Sequence, residues 1–319
     1  MNSSSSKHSP LVLAVIAAAC LSIPAHAQVF TGTDSDDYGT AGNWSGNAVP
    51  VLSNGATAII NNGDAVTYSP GGDFIVSNGG ELEISNGSWI QNTGNAWIQM
   101  GEQGSGSGTG NGTILVNGGT FSMGTDSNTP FQVTGTGNVF TITSGTANFL
   151  NEKIAPQGTG MTFNFDGGNV NVLNEIDYDS NSGSLVIDGS TITTPLVTAV
   201  NTGNIGVLDL QAGLLNLTGA GIYSPSATAP VNFTTDSTAA INFETQSVST
   251  VQGWVNSGVI TYAGAINPSD LIVSSADGGN GAIVEAVSES AVPEPSTYMM
   301  LGAGMALLVI VVRRRRACA

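Results

Sequence analysis

Between Gln28 and Ala291 the chain alternates: apolar residues fall at every second position for a few residues, then Gly, Asn and Ser interrupt them. Alternate side chains of a strand point to opposite faces, so such runs predict short strands with one buried face. No 3.6-residue periodicity is sustained. One template recurs: two alternating apolar positions, a glycine three residues after the second, then further alternating positions. It appears as Leu82, Ile84, Gly87, Trp89 and as Ile114, Val116, Gly119, Phe121, Met123. It returns as Phe140, Ile142, Gly145, Ala147, Phe149 and as Phe163, Phe165, Gly168, Val170, Val172. A last copy reads Leu208, Leu210, Gly213, Leu215, Leu217. Near Gly189 the apolar set Leu185, Ile187, Ile192 is displaced by one, which predicts a coil that is irregular or aligned on the wrong residue.

Strand, glycine corner, strand is what one coil of a solenoid requires, because the corner needs a backbone conformation that glycine adopts readily. A single coil cannot bury its inner face; stacked coils about 4.8 Å apart can. The expected fold is therefore all-β, a right-handed parallel β-solenoid (β-helix) over 54–273. An antiparallel β-sandwich uses the same short strands and is the alternative. Residues 101–112, GEQGSGSGTGNG, interrupt the repeat as a polar loop and lack the Gly-Lys-Ser/Thr ending of a phosphate loop. Residues 28–53 form an N-terminal cap in which Trp44 covers the open end of the apolar core. The Asn43-Trp44 to Pro50 segment resembles the opening of autotransporter-like β-solenoid proteins. Residues 274–291, small and acidic, read as a linker.

The two ends are of another kind. Lys7 precedes an apolar run from Leu11 to Ile23, and Ala25-His26-Ala27 is a small-x-small site before Gln28. That pattern is a secretory signal peptide over 1–27, cleaved by signal peptidase between Ala27 and Gln28. A lipoprotein reading of Cys20 fails because Ala17 stands where a large aliphatic residue is needed. At the other end, Val292, Pro293, Glu294 and Pro295 lead into the uncharged run Tyr298–Val312, then Arg313, Arg314, Arg315 and Arg316. As a helix that run covers roughly 22 Å, short of a hydrocarbon core of roughly 30 Å, and arginine stems extend its reach. The arginines predict a cytoplasmic C-terminus and a body outside the inner membrane.

These three ordered elements over 292–319 resemble a PEP-CTERM sorting signal. The resemblance implies export, a transient stay in the inner membrane, and processing by an exosortase. It makes Pro293, Glu294 and Pro295 the recognition tripeptide and the four arginines the stop-transfer anchor. It carries nothing about what the body binds.

With the ends set aside, both cysteines and both histidines are gone, and 28–291 keeps 22 of the 23 carboxylates against Lys153 alone, a net charge of −21. Such a surface repels nucleic acid. No disulfide braces it, and no Ser-His-Asp triad, thiolate or zinc histidine can be assembled within it. A β-helix lyase would have only Lys153 as base. A β-helix glycosidase needs two carboxylates, and the candidate pairs Asp36/Asp37 and Asp177/Asp179 sit in turn-like stretches. Asp177, Asp179, Asn181 and Asp188 echo the ligand spacing of a calcium loop, although Ser182 occupies the position where glycine belongs. Three function classes follow. The first is a non-enzymatic surface or matrix protein associated with extracellular polysaccharide. The second is a carbohydrate-binding or carbohydrate-active solenoid. The third is an ice- or crystal-binding face built on Thr141/Thr143 and Thr191/Thr193.

Overall fold

The computed structural model describes residues 27–69, 73–91, 98–101, 110–123, 131–133, 136–150, 153–156, 160–177, 183–199, 207–224, 230–276, 279 and 281–287. The chain winds into a β-solenoid of about six turns, whose strands stack in parallel along three faces. Parallel pairing between successive coils excludes the antiparallel sandwich.

The first face follows the sequence template residue for residue. Leu82, Ile114, Phe140, Phe163, Leu185, Leu208 and Val231 align as consecutive partners across the coils. On the second face the aligned series is Trp89, Phe121, Ala147, Val170, Ile192, Leu215 and Ile241. All of these side chains are buried in one continuous core. Aromatic rings stack through it, with Trp89 and Phe121 5.1 Å apart and nearly coplanar at 9°.

The third face is not in the template. Phe74, Ile98, Phe131, Ile154 and Ile176 align there on short strands, continued by Val197 and Ile222 at the ends of the long strands Ser184–Thr198 and Leu208–Tyr223. Its strands follow connections of unequal length, which blurs their period in the sequence.

At the corner between the first two faces, Gly145 has φ +92°, and a Cβ there would stand 2.2 Å from the carbonyl oxygen of Gly119. Coils this close at the corner exclude any side chain. At the coil near Gly189 the displacement is one of alignment: Ile187 pairs with Leu210 and Ile192 with Leu215, with register shifts confined to the corner around Asp188 and to Thr194/Leu196. Ser190 takes the template glycine's place and Gly189 (φ +101°) the left-handed conformation. The buried Ser190 hydroxyl donates to Gly167 O at 2.5 Å and accepts from Gly167 N at 3.0 Å, so the substitution is satisfied within the fold.

At the N-terminal end the segment ahead of the first coil folds over the core. Trp44 is buried, edge-on to Phe30 (5.1 Å) and Tyr38 (5.0 Å), and its Nε1 donates to Tyr38 O at 2.8 Å. Asn43, also buried, accepts from the amides of Asp34 and Ser35, both at 2.8 Å, and donates to Asp37 O at 2.8 Å. The first coil's open backbone is covered too: Thr67 N donates to Asp36 O, and Tyr38 N to Thr67 O.

The C-terminal end departs from expectation. Helix Val248–Ser257, with Ser247 as its N-cap and Val251 and Val255 buried, stands where the next third-face strand would come, and strand Ile260–Tyr262 then resumes the first face in parallel with Val231–Phe233. Strand Ala282–Ala286 then pairs antiparallel with Ala240–Phe243, and Leu271–Ser275 antiparallel with it in turn. Ala282 and Val284 are buried, so this part of 274–291 belongs to the body rather than to a linker.

Candidate functional site

The third face carries the one cation of the 28–291 body. Lys153 Nζ contacts Asp177 Oδ2 at 2.5 Å and lies 3.9 Å from Glu175 Oε1. Thr198, one coil further, donates its hydroxyl to Glu175 Oε2 at 2.6 Å. Lys153 and Glu175 are facing partners on adjacent strands, and stacking alone brings them together across the coil step. Asp177 is therefore not a solvated turn residue: it ends strand Glu175–Asp177 with 5% of its side chain exposed. The ammonium serves as counter-ion to two carboxylates.

Asp188 is exposed at the corner beyond Ile187, where it pairs with Ala212. Segment 184–187 of the first face thus lies between it and Asp177, while Asp179 and Asn181 fall outside the described residues. Among the described residues no three His, Cys, Asp or Glu gather closely enough to hold a metal ion. Burial, and then the neighbouring Asp188 charge, raises the pKa of Asp166 above the usual carboxylate value. Burial and Glu83 do the same at Glu81. Asp36 and Asp37 lie in the N-terminal cap, where the Asp36 carbonyl pairs with the first coil and Asp37 Oδ2 accepts from Thr40 at 3.1 Å.

A groove of about 330 Å³ opens between this cap and the first coil, bounded by Tyr38, Val49, Leu52, Tyr68 and Phe74. Its rings are buried, and both phenols are committed: Tyr38 donates to Pro50 O at 3.0 Å and Tyr68 to Asp73 O at 3.1 Å. Burial, with the Asp73 charge adding to it, pushes the Tyr68 phenol up to about 12. Burial also raises Tyr38, further than Tyr68. Asp73 is the one carboxylate among the described residues that line the groove, and its Oδ2 accepts from Gln99 at 3.2 Å. Among the described residues lining it, the several carboxylates and exposed aromatics of a sugar-cleaving groove are not found.

The threonine pairs do not form one face. Thr141 lies on the first face and Thr143 beyond its corner, whereas Thr191 and Thr193 lie on the second. What the sequence reading missed is the row the second pair belongs to. Thr193 pairs with Asn171, and Asn171 with Asn148. Asn171 Nδ2 donates to Asn148 Oδ1 at 2.8 Å, and Asn148 Nδ2 to Ser122 Oγ at 3.0 Å. The signal was present as the residue between the template's last two apolar positions, which the inward pattern alone does not use.

Of the export elements, Ala27 and Gln28 are described. Strand Ala27–Val29 pairs with the first coil, and Gln28 Oε1 accepts from Gly46 N at 2.7 Å. Ala25, Val292, Pro293, Glu294, Pro295 and Arg313–Arg316 lie outside the described residues. Among the described residues no helix is long and apolar enough to cross a membrane.

Comparison with protein families finds a PEP-CTERM protein-sorting motif at residues 291–316. No curated protein and no solved structure matches the chain. The motif implies an exported precursor, anchored in a membrane and recognised by an exosortase.

Proposed function

We propose that this is a non-enzymatic surface or matrix protein: an acidic β-solenoid that is exported, processed through its tail, and retained with extracellular polysaccharide. The observation that carries it is the sorting motif at 291–316 attached to a body without histidine, cysteine or arginine. The pairing of Lys153 with Asp177 and Glu175 supports the same reading, because it occupies the one amine available to a lyase-type base. In this account the signal peptide leaves between Ala27 and Gln28, and the run 298–312 holds the precursor with its body outside and its arginines in the cytoplasm. Kinship with autotransporter-like solenoids rests on the Asn43–Pro50 opening. The reading needs neither calcium nor another cofactor.

The test is expression of the chain with and without 292–319 in a host carrying an exosortase, following mass and location. The full chain is expected to lose its tail and reach the envelope or matrix, and the truncated one to be secreted at the mass left by signal-peptide removal alone. Full chain retained intact in the inner membrane would refute the proposal. Release of reducing ends from polysaccharides by the pure protein would instead favour a carbohydrate-active enzyme.

A further inference from the structure

The outer side of the second face also repeats over part of its length, between Ile90 at one end of the second column and Leu214 at the other end of the first. Over four consecutive coils, one outward column consists of Thr120, Thr146, Asn169 and Thr191. Two residues along each strand runs a second column of Ser122, Asn148, Asn171 and Thr193. Every one of these side chains is uncharged and carries a hydrogen-bonding group, and none is fully buried. Coil stacking repeats each column about every 4.8 Å, and the two columns stand roughly 7 Å apart. On the first face of the same coils, Leu115, Val139 and Val186 interrupt the polar positions.

The second column is also held in place. The ladder from Asn171 through Asn148 to Ser122 fixes the amide orientations. Each amide there uses one N–H in the ladder and keeps its other for a ligand. Groups already ordered lose little side-chain entropy on binding. Beside this column, at the next corner, Leu150 and Leu173 are 36% and 54% exposed. They lie one coil apart, with Leu173 N bonded to Phe149 O, and form an apolar step along the same edge.

We infer that this face binds a neutral, extended polysaccharide lying along the solenoid axis. Only a ligand that itself repeats can use a repeating array, and many weak contacts in series then add up. Hydroxyls match the amide and threonine groups, and the C–H face of a sugar ring matches the leucine step. The body's charge repels polyanions, and the array lacks the aromatic anchors of a protein–protein interface core. The inference deepens the matrix role proposed above and rests on it.

The test is depletion of the purified full-length protein by three neutral solids, cellulose, starch granules and cross-linked dextran, with alginate beads as the anionic comparator. Binding to at least one neutral solid and not to alginate is expected. Asn148→Ala/Asn171→Ala should weaken it about tenfold or more. Thr141→Ala/Asn164→Ala, on the first face of the same coils, should leave it unchanged. Superimposable thermal melts separate lost binding from lost folding. Failure on all three neutral solids, equal loss in both variants, or depletion by alginate would overturn the inference. So would ice-growth inhibition or self-association in place of neutral binding. In cells, a second-face variant held in the matrix as firmly as wild type would overturn this inference alone, whereas wild type absent from the matrix would refute the function it rests on.

Discussion

The two ends of the solenoid solve one problem by different means. A parallel stack ends in an open apolar layer and unpaired strand edges, which invite end-to-end association. The N-terminal end is closed by a plug: Trp44 fills the layer, and the backbone of Asp36–Tyr38 and of Ser45 pairs with the strands beneath. At the C-terminal end the chain reverses, so that Ala282–Ala286 runs antiparallel to the last second-face strand, and helix Val248–Ser257 stands where another third-face strand would come. The first closure relies on one large side chain and a buried asparagine, the second on a change of chain direction. An aromatic plug concentrates its stabilisation at a few atoms, whereas a reversed hairpin and helix spread theirs over many.

That contrast can be broken most severely at Trp44. Trp44→Ala removes the plug and should cost about 3–5 kcal/mol, read as a lower midpoint of urea unfolding together with concentration-dependent association. Unchanged stability would mean that the plug does not close the core. Alkaline titration should act on the same end. The Tyr68 phenol is pushed up to about 12 and Tyr38 is raised as well, so near pH 10–12 the unfolded chain has released protons that the folded one still holds. Stability is thus present below about pH 10 and lost as pH climbs towards 12. The loss at Tyr68 should be roughly 1–2 kcal/mol, part of the shift being screened by solvent. Tyr38→Phe with Tyr68→Phe should flatten that decline, and a decline of the same size without both phenols would assign it elsewhere. The smallest effect belongs to the other end. Ser247→Ala deletes the helix cap whose hydroxyl accepts from Thr250 N, which should cost about 1 kcal/mol. Hydrogen exchange should show that loss confined to Val248–Ser257 and its neighbours, not spread to the N-terminal coils.

Legibility in the sequence followed the range of each interaction. The inner rows of the first two faces were readable because alternation is a property of neighbouring residues: Phe140, Ile142 and Phe149 mark their own inward positions. Trp44 was expected over the open end, and it lies buried there with Phe30 and Tyr38, two aromatics the expectation did not use. The coil at Ser190 looked displaced because a buried serine fills the corner glycine's place while the neighbouring Gly189 takes the left-handed turn. The helix Val248–Ser257 was missed because it buries only Val251 and Val255, too few to set a helical period. Asp177 was misjudged as well, since its partner Lys153 lies 24 residues away and nothing local announces it.

The sequence by itself determined the strand-and-corner repeat, the acidic character of the body, and the sorting motif at 291–316. These follow from local periodicity, composition and a contiguous motif. Only the tertiary structure decided the third face, the meeting of Lys153 with Asp177 and Glu175, the reversal at the C-terminal end, and the outward ladder of Asn148 and Asn171. Each depends on which residue of one coil lies over which residue of the next. Connections of unequal length set that register, and only the stacked backbone reveals it.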